Sequence, residues 1–195
     1  MAIKFGTNPN VHEVVLSFDD GPHPTRTPQL LDVLAKHNVK AMFFVLGQLL
    51  KTAAGQNAIK RAFAEGHIIG NHSFDHSNFQ KLTLAKVRDQ VKRTQDLIGS
   101  CAHPMKFMRQ PYGSTNANID KMLKDEGYTK LLWNVDSLDW KLKNATWVDN
   151  AMTQIKNRND SIVLMHDIHA FTVNNVETLI KKIKARPNTE IVSYA

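Results

Sequence analysis

VVLSFDDGP, residues 14–22, runs from an apolar stretch into two adjacent acids and a turn. Val14, Val15 and Leu16 are strand formers, whereas Gly21-Pro22 is usable only as a turn, so Asp19 and Asp20 stand at the carboxyl end of a strand. Neighbouring carboxylates disfavour each other's ionisation. At the mouth of a buried strand they cost stability unless something positive lies between or beside them. The rest of the chain has to supply that partner.

Working outward, apolar β-forming runs recur at 13–18, 40–45, 67–70, 106–109, 130–135, 161–165 and 189–193, with segments of helical period between them. Thr27-Pro28 reads as an N-cap followed by proline at the first helical position, opening a helix that carries Leu30, Leu31 and Leu34. Leu84, Val87, Val91 and Ile98 keep helical spacing, as do Ile119, Met122 and Leu123, then Val148, Met152 and Ile155, then Val176, Leu179, Ile180 and Ile183. Repeated strand–helix units imply a parallel sheet. Seven strands fit either an open doubly wound sheet or a barrel short of eight, and the polar residues decide between them. They follow strand after strand: Asp19-Asp20 the first, Asn71-His72 the third, Arg109 the fourth, Asp136 the fifth and His166 the sixth. A closed barrel gathers such ends around one mouth, where an open sheet would spread them along a crevice. The expected fold is therefore an α/β, TIM-barrel-like closed sheet in a single domain, undivided by any Pro/Gly/Ser-rich linker or repeat.

Composition narrows the function. A chain of 195 residues, 42% hydrophobic and 22% charged, suits one globular domain with one core. The single cysteine, Cys101, excludes an intrachain disulfide and a thiolate metal cluster, so metal binding would fall to His and Asp or Glu. No run reaches the roughly 18 apolar residues of a membrane span, and Met1-Ala2-Ile3-Lys4 lacks the apolar core of a signal peptide. The net charge of +7 invites a nucleic-acid reading. The basic residues, however, fall on helical faces without interleaved aromatics: Lys86, Arg88, Lys92 and Arg93, then Lys181, Lys182, Lys184 and Arg186. No nucleic-acid partner is expected, and the chain is read as a monomer.

After the third strand comes Gly70-Asn71-His72-Ser73-Phe74-Asp75-His76. Four residues of helix return to nearly the same face, so His72 and His76 are expected to present two imidazoles to one ion. With one carboxylate they make a three-ligand set that suits Zn²⁺ and leaves a position open for water. One acid of the Asp19-Asp20 pair could bind the ion while the other faces the activated water. A His-x-x-x-His pair is a weak signal by itself in a chain with nine histidines, and Ser73 stands where a zinc-protease helix would carry its base. The strength lies in its combination with the acid pair and the later strand ends.

Together with RQPYG (109–113), DSLDW (136–140) and LMH (164–166), these residues resemble the polysaccharide deacetylases of carbohydrate esterase family 4, the NodB-homology domain. Five motifs in order, from about Val14 to Val192, carry the resemblance. Ser17 replaces the usual Thr of the first motif. The resemblance implies a distorted (β/α)7 barrel, with residues 1–12 an N-terminal extension and 13–195 the deacetylase domain. It implies that Asp19 is the general base and that Asp20, His72 and His76 hold Zn²⁺ or another divalent metal such as Co²⁺. It further implies that Arg109 orients Asp19, that the Tyr112 backbone N–H helps hold the oxyanion, that Trp140 and Leu164 line the acetyl pocket, and that His166 is the general acid tuned by Asp139. Arg109 suits its role physically, because a guanidinium cannot lose its proton and keeps a neighbouring carboxylate ionised and aimed.

The function implied is removal of N-acetyl groups from GlcNAc-containing glycans, chitin oligosaccharides or peptidoglycan, with release of acetate. An O-acetyl xylan esterase and a non-catalytic carbohydrate-binding domain are the alternatives. The substrate partner would be an N-acetylated oligo- or polysaccharide. The family is mostly of the cell envelope or secreted, although this chain shows no export signal. Stretches 47–57, 113–117 and 141–147 are the loops expected to shape the groove. His23, His67 and His169 are expected to be ordinary solvated or hydrogen-bonded histidines, and Asp136 to stabilise its loop.

Overall fold

The structure is a computed structural model that describes residues 10–193. The expected extension over 1–12 therefore lies mostly outside the described residues, and His12 already opens the first strand.

The chain alternates strand and helix: β1 (His12–Asp19), α1 (Arg26–Lys36), β2 (Met42–Val45), α2 (Ala53–Ala64), β3 (Ile68–Asn71), α3 (Leu84–Ile98), β4 (Lys106–Met108), α4 (Ala117–Asp125), β5 (Tyr128–Lys130), β6 (Val135–Asp136), α5 (Asp139–Leu142), α6 (Thr146–Lys156), β7 (Ser161–His166), α7 (Ala170–Lys184) and β8 (Thr189–Ile191). Every strand pair is parallel, in the order β5-β4-β3-β2-β1-β7-β6. β8 pairs with the start of β1 at His12–Val14, while β2 pairs with its end at Ser17–Asp19. The architecture is the distorted (β/α)7 barrel.

Period-two alternation sorts the side chains. Val14, Leu16 and Phe18 of β1, Phe43 and Val45 of β2, and Val163 and Met165 of β7 face the helices, where they pack with Leu30, Leu34, Trp147, Val176 and Ile180. The intervening residues turn inward, where Val15, Met42, Phe44, Ile68, Phe107 and Ile162 form a second apolar cluster. Continuing each inward column toward the carboxyl end gives Ser17 and Asp19, Gly70 and His72, Arg109, and Leu164 and His166. The site residues are thus the upper layer of the barrel interior. Gly70 is glycine because a Cβ there would come within 2.6 Å of the Phe44 ring.

Three local expectations change. The run 130–135 is not one strand: Leu131 N–H still donates to Met108 O of β4, Asn134 N–H donates to Ile162 O of β7, and Leu132-Trp133 crosses between them. β5 and β6 are the two edges of the sheet, so the barrel is closed along this line by the covalent chain. The α1 helix starts two residues early, at Arg26, with Thr25 at the N-cap position. Thr27 is instead buried, its hydroxyl donating to Asp167 and accepting from the His23 N–H. Leu84, at the first position of α3, is exposed, while Val87, Val91 and Ile98 are buried as expected. No helix among the described residues is long and apolar enough to cross a membrane.

Candidate active site

The His72-to-His76 spacing works without a helix. Residues 72–78 are irregular, and Ser73 and His76 have φ of 75° and 64°. The loop is tied internally, because Ser73 N–H donates to Asn71 Oδ1 and His76 N–H to Ser73 Oγ. It is tied to α3 by Asn71 Nδ2, which donates to Val91 O, and by Gln90, whose Oε1 accepts from the N–H groups of Phe74 and Asp75. Asp20 (φ 72°), Tyr112 (59°) and Leu138 (57°) are also left-handed, so the strain among non-glycine residues concentrates in the loops of this mouth.

These turns bring three ligand atoms together. His72 Nε2 lies 3.4 Å and His76 Nε2 3.3 Å from Asp20 Oδ1, and one donor atom from each of the three residues lies within 4.8 Å of the others. His72 Nδ1 is 2.7 Å from Arg109 O, which can only accept, so Nδ1 carries a proton and Nε2 is the nitrogen turned toward Asp20. Burial and the neighbouring His72 hold His76 below the usual histidine range despite Asp20, favouring the neutral imidazole that a metal needs. Burial works against ionisation of Asp20, yet His72, His76 and His166 outweigh it and hold the carboxyl at about 2. Asp20 Oδ1 is a buried acceptor without a hydrogen-bond partner among the described residues. An orphaned carboxylate oxygen facing two imidazole nitrogens fits a divalent cation.

Asp19 is buried beside this cluster, and Arg109 Nη1 donates to its Oδ1 at 2.8 Å. Arg109 is fully buried and serves two structures at once. Nη1 also donates to Ser17 Oγ at 2.8 Å, while Nε and Nη2 donate to Leu131 O and Leu132 O, the carbonyls of the sheet break, at 2.9 and 3.5 Å. The guanidinium rests on Phe44, 4.1 Å from the ring centre. The Ser17 hydroxyl donates to Val163 O, so it is a fixed point in the network.

His166 is the register partner of Asp19 on the adjacent strand. Its Nδ1 lies 2.8 Å from Asp139 Oδ1, and Asp139 also accepts from the N–H groups of Trp140 and His166 and from Thr172 Oγ1. Burial alone would lower the His166 pKa. The hydrogen bond and charge of Asp139, helped by Asp19 and Asp20, win and push it up to about 9. The imidazole is therefore cationic at neutral pH, with Nε2 4.0 Å from Asp20 Oδ2.

A cavity of about 440 Å³ opens over the cluster, lined by Asp19, Asp20, His72, His76, Tyr112, Trp140, Leu164 and His166 together with Trp133, Asp136 and His169. Eight of the ten site residues expected from sequence line it, and the other two, Arg109 and Asp139, lie buried behind it. Gln90, Ser17, Thr172, Trp133 and His169 were not anticipated as part of the site. Of these only Ser17 sat inside a motif, and the others touch the site through contacts that no local spacing reveals. Part of the expected 47–57 loop is the first turn of α2.

The family model described as polysaccharide deacetylase matches residues 6–131. A peptidoglycan-N-acetylglucosamine deacetylase, PgdA, of Listeria monocytogenes is 38% identical over 175 residues, 89% of this chain but only 36% of the relative's length. A chitooligosaccharide deacetylase of Rhizobium leguminosarum bv. phaseoli is 37% identical over 78% of this chain and 66% of its own. The solved structure of the peptidoglycan deacetylase PdaC from Bacillus subtilis superposes with a TM-score of 0.84 at 34% identity, covering 95% of this chain and 89% of that one.

Proposed function

Because the chain belongs to the polysaccharide deacetylase family, we propose that it is a metal-dependent hydrolase removing N-acetyl groups from GlcNAc-containing glycans, either chitin oligosaccharides or peptidoglycan. The observation that carries this reading is a base and an acid, each with its own buried partner, in register on adjacent strands beside a three-ligand cluster. Asp20, His72 and His76 would hold Zn²⁺ or a related ion such as Co²⁺, which when bound supplies Lewis acidity and a readily deprotonated water.

Asp19 takes the proton of the attacking water, paired with and aimed by Arg109, which is itself fixed by Ser17. The acetyl methyl lies against Trp140 and Leu164. The Tyr112 backbone N–H donates to the oxyanion, an interaction that strengthens only as charge develops. His166 delivers the proton that lets the amine leave, and Asp139 keeps it protonated and oriented.

The test is acetate release from chitin oligomers, peptidoglycan and acetylxylan, with and without chelator. Chelator-sensitive release from the N-acetylated glycans is expected. Release from acetylxylan alone would favour the O-acetyl esterase reading, and no release from any glycan the carbohydrate-binding one.

A further inference from the structure

Tyr112 is an unexpected residue for its position. It sits in the single turn Pro111–Gly113 at φ 59°, a backbone conformation that favours glycine, and its ring is 66% exposed. Neither local conformation nor burial accounts for a large aromatic there. Among the described residues its ring makes one aromatic contact, edge-to-face with the His76 imidazole, at 4.5 Å between centres and 62° between planes.

The two histidines of the cluster are held differently. His72 is fixed by its Nδ1–H bond to Arg109 O. His76 Nδ1 has no hydrogen-bond partner among the described residues, and its loop backbone is left-handed. A metal-binding imidazole ordinarily gives its second nitrogen to a carboxylate, a carbonyl or water, and a protein partner there stops the ring from turning.

Resting on the metal reading above, we propose that the Tyr112 side chain is a positioning residue for His76, its ring taking the place of the missing hydrogen bond and keeping Nε2 aimed at the point shared with Asp20 and His72. This role belongs to the side chain and is separate from any role of the Tyr112 backbone N–H, which every substitution except proline preserves. The contact is apolar and π-faced, so the phenol hydroxyl is dispensable and the ring is not.

The test measures Zn²⁺ affinity of the metal-free protein by competition with a chromophoric chelator, for the wild type, Tyr112→Phe, Tyr112→Leu and Tyr112→Ala. Tyr112→Phe should stay within about twofold of wild type. Tyr112→Leu and Tyr112→Ala should bind zinc about tenfold more weakly, the lower end of what loss of an outer-shell partner costs. Thermal unfolding of the metal-free variants should be unchanged, since the ring is largely exposed. Wild-type zinc affinity in Tyr112→Ala overturns the inference, and a raised KM for oligosaccharide in that variant would instead assign the ring to sugar stacking. A wild-type chain that takes up no divalent ion would overturn the metal reading and this inference together, a result distinct from the first.

Discussion

Arg109→Met is the substitution whose cost the structure specifies best. The guanidinium is fully buried, paired at 2.8 Å with an Asp19 that is only 2% exposed, and bonded to Ser17 Oγ and to Leu131 O. Removing one partner of a buried ion pair costs about 3–5 kcal/mol, because the remaining charge loses its close partner; Asp19 would keep only His72 Nε2, 3.6 Å from its Oδ2, and the more distant His166. The Leu131 carbonyl, stranded at the sheet break, adds about 1–3 kcal/mol. Ser17 adds little, since its hydroxyl keeps Val163 O. The sum, about 4–8 kcal/mol, is comparable to the whole stability of a domain of this size. Arg109→Lys keeps the charge but not the fork, and should cost about half as much. Arg109→Met with Asp19→Asn removes both charges and should recover about 2–4 kcal/mol relative to Arg109→Met alone. Equilibrium urea unfolding of the metal-free proteins reads all three without relying on activity. A loss under about 1 kcal/mol in Arg109→Met would show that Arg109 neither closes the sheet break nor compensates Asp19, and no recovery in the double variant would remove the second role alone.

The two acids separate by assay. Asp19→Asn should retain stoichiometric metal and lose turnover by at least about 10²-fold, whereas His72→Ala should lose both, as metal analysis beside acetate release will show. Were Asp19→Asn to empty the site, the acids would have exchanged roles. His166→Ala should slow amide hydrolysis toward the upper end of the roughly 10²–10⁴-fold range for a general acid and an activated ester much less, because an alkoxide leaves with less help. With His166 raised to about 9, first of all by Asp139, the alkaline limb of the pH–rate profile should lie above the ordinary histidine value, and Asp139→Asn should lower it, leaving burial opposed only by Asp19 and Asp20. Equal losses on amide and ester with an unmoved limb would reduce His166 to a binding residue. His67, buried beside Phe43 and accepting from the Ala41 N–H, is lowered to about 4 by burial and then by Lys40. Below about pH 6.5 the unfolded chain takes up the proton and the folded chain does not, so stability should fall by about 3 kcal/mol between pH 6.5 and 4. His67→Gln should flatten that acid limb in unfolding measured across this range.

Local side-chain pattern was enough to say which residues share a face. Period-two alternation, carried by the identity of neighbouring side chains, sends Val15, Ser17 and Asp19 to one face and Val14, Leu16 and Phe18 to the other. The helical faces of α4, α6 and α7 follow in the same way from 3.6-residue spacing. The motif residues at successive strand ends then had one place to meet, and the cavity lining bears that meeting out. What the sequence could not determine depends on pairs far apart in the chain. Asp19 meets Arg109 across 90 residues, and Asp139 meets His166 across 27 and Thr172 across 33.

Contacts with distant elements alone make the 72–78 loop irregular. Asn71 and Gln90 give its backbone hydrogen bonds that replace a helix, so a four-residue spacing that mimics a helical turn is met by left-handed residues instead. Such contacts also decide that KLLWNV, whose Leu131, Leu132 and Trp133 read as the apolar centre of one strand, breaks where the barrel closes. One strand pairing with both β4 and β7 would have to draw them within about 10 Å, whereas here Leu131 stays with β4, Asn134 with β7, and the Arg109 guanidinium takes the carbonyls between. Local periodicity fixes which way a side chain points, but which element it meets there is set by the strand order of the whole sheet.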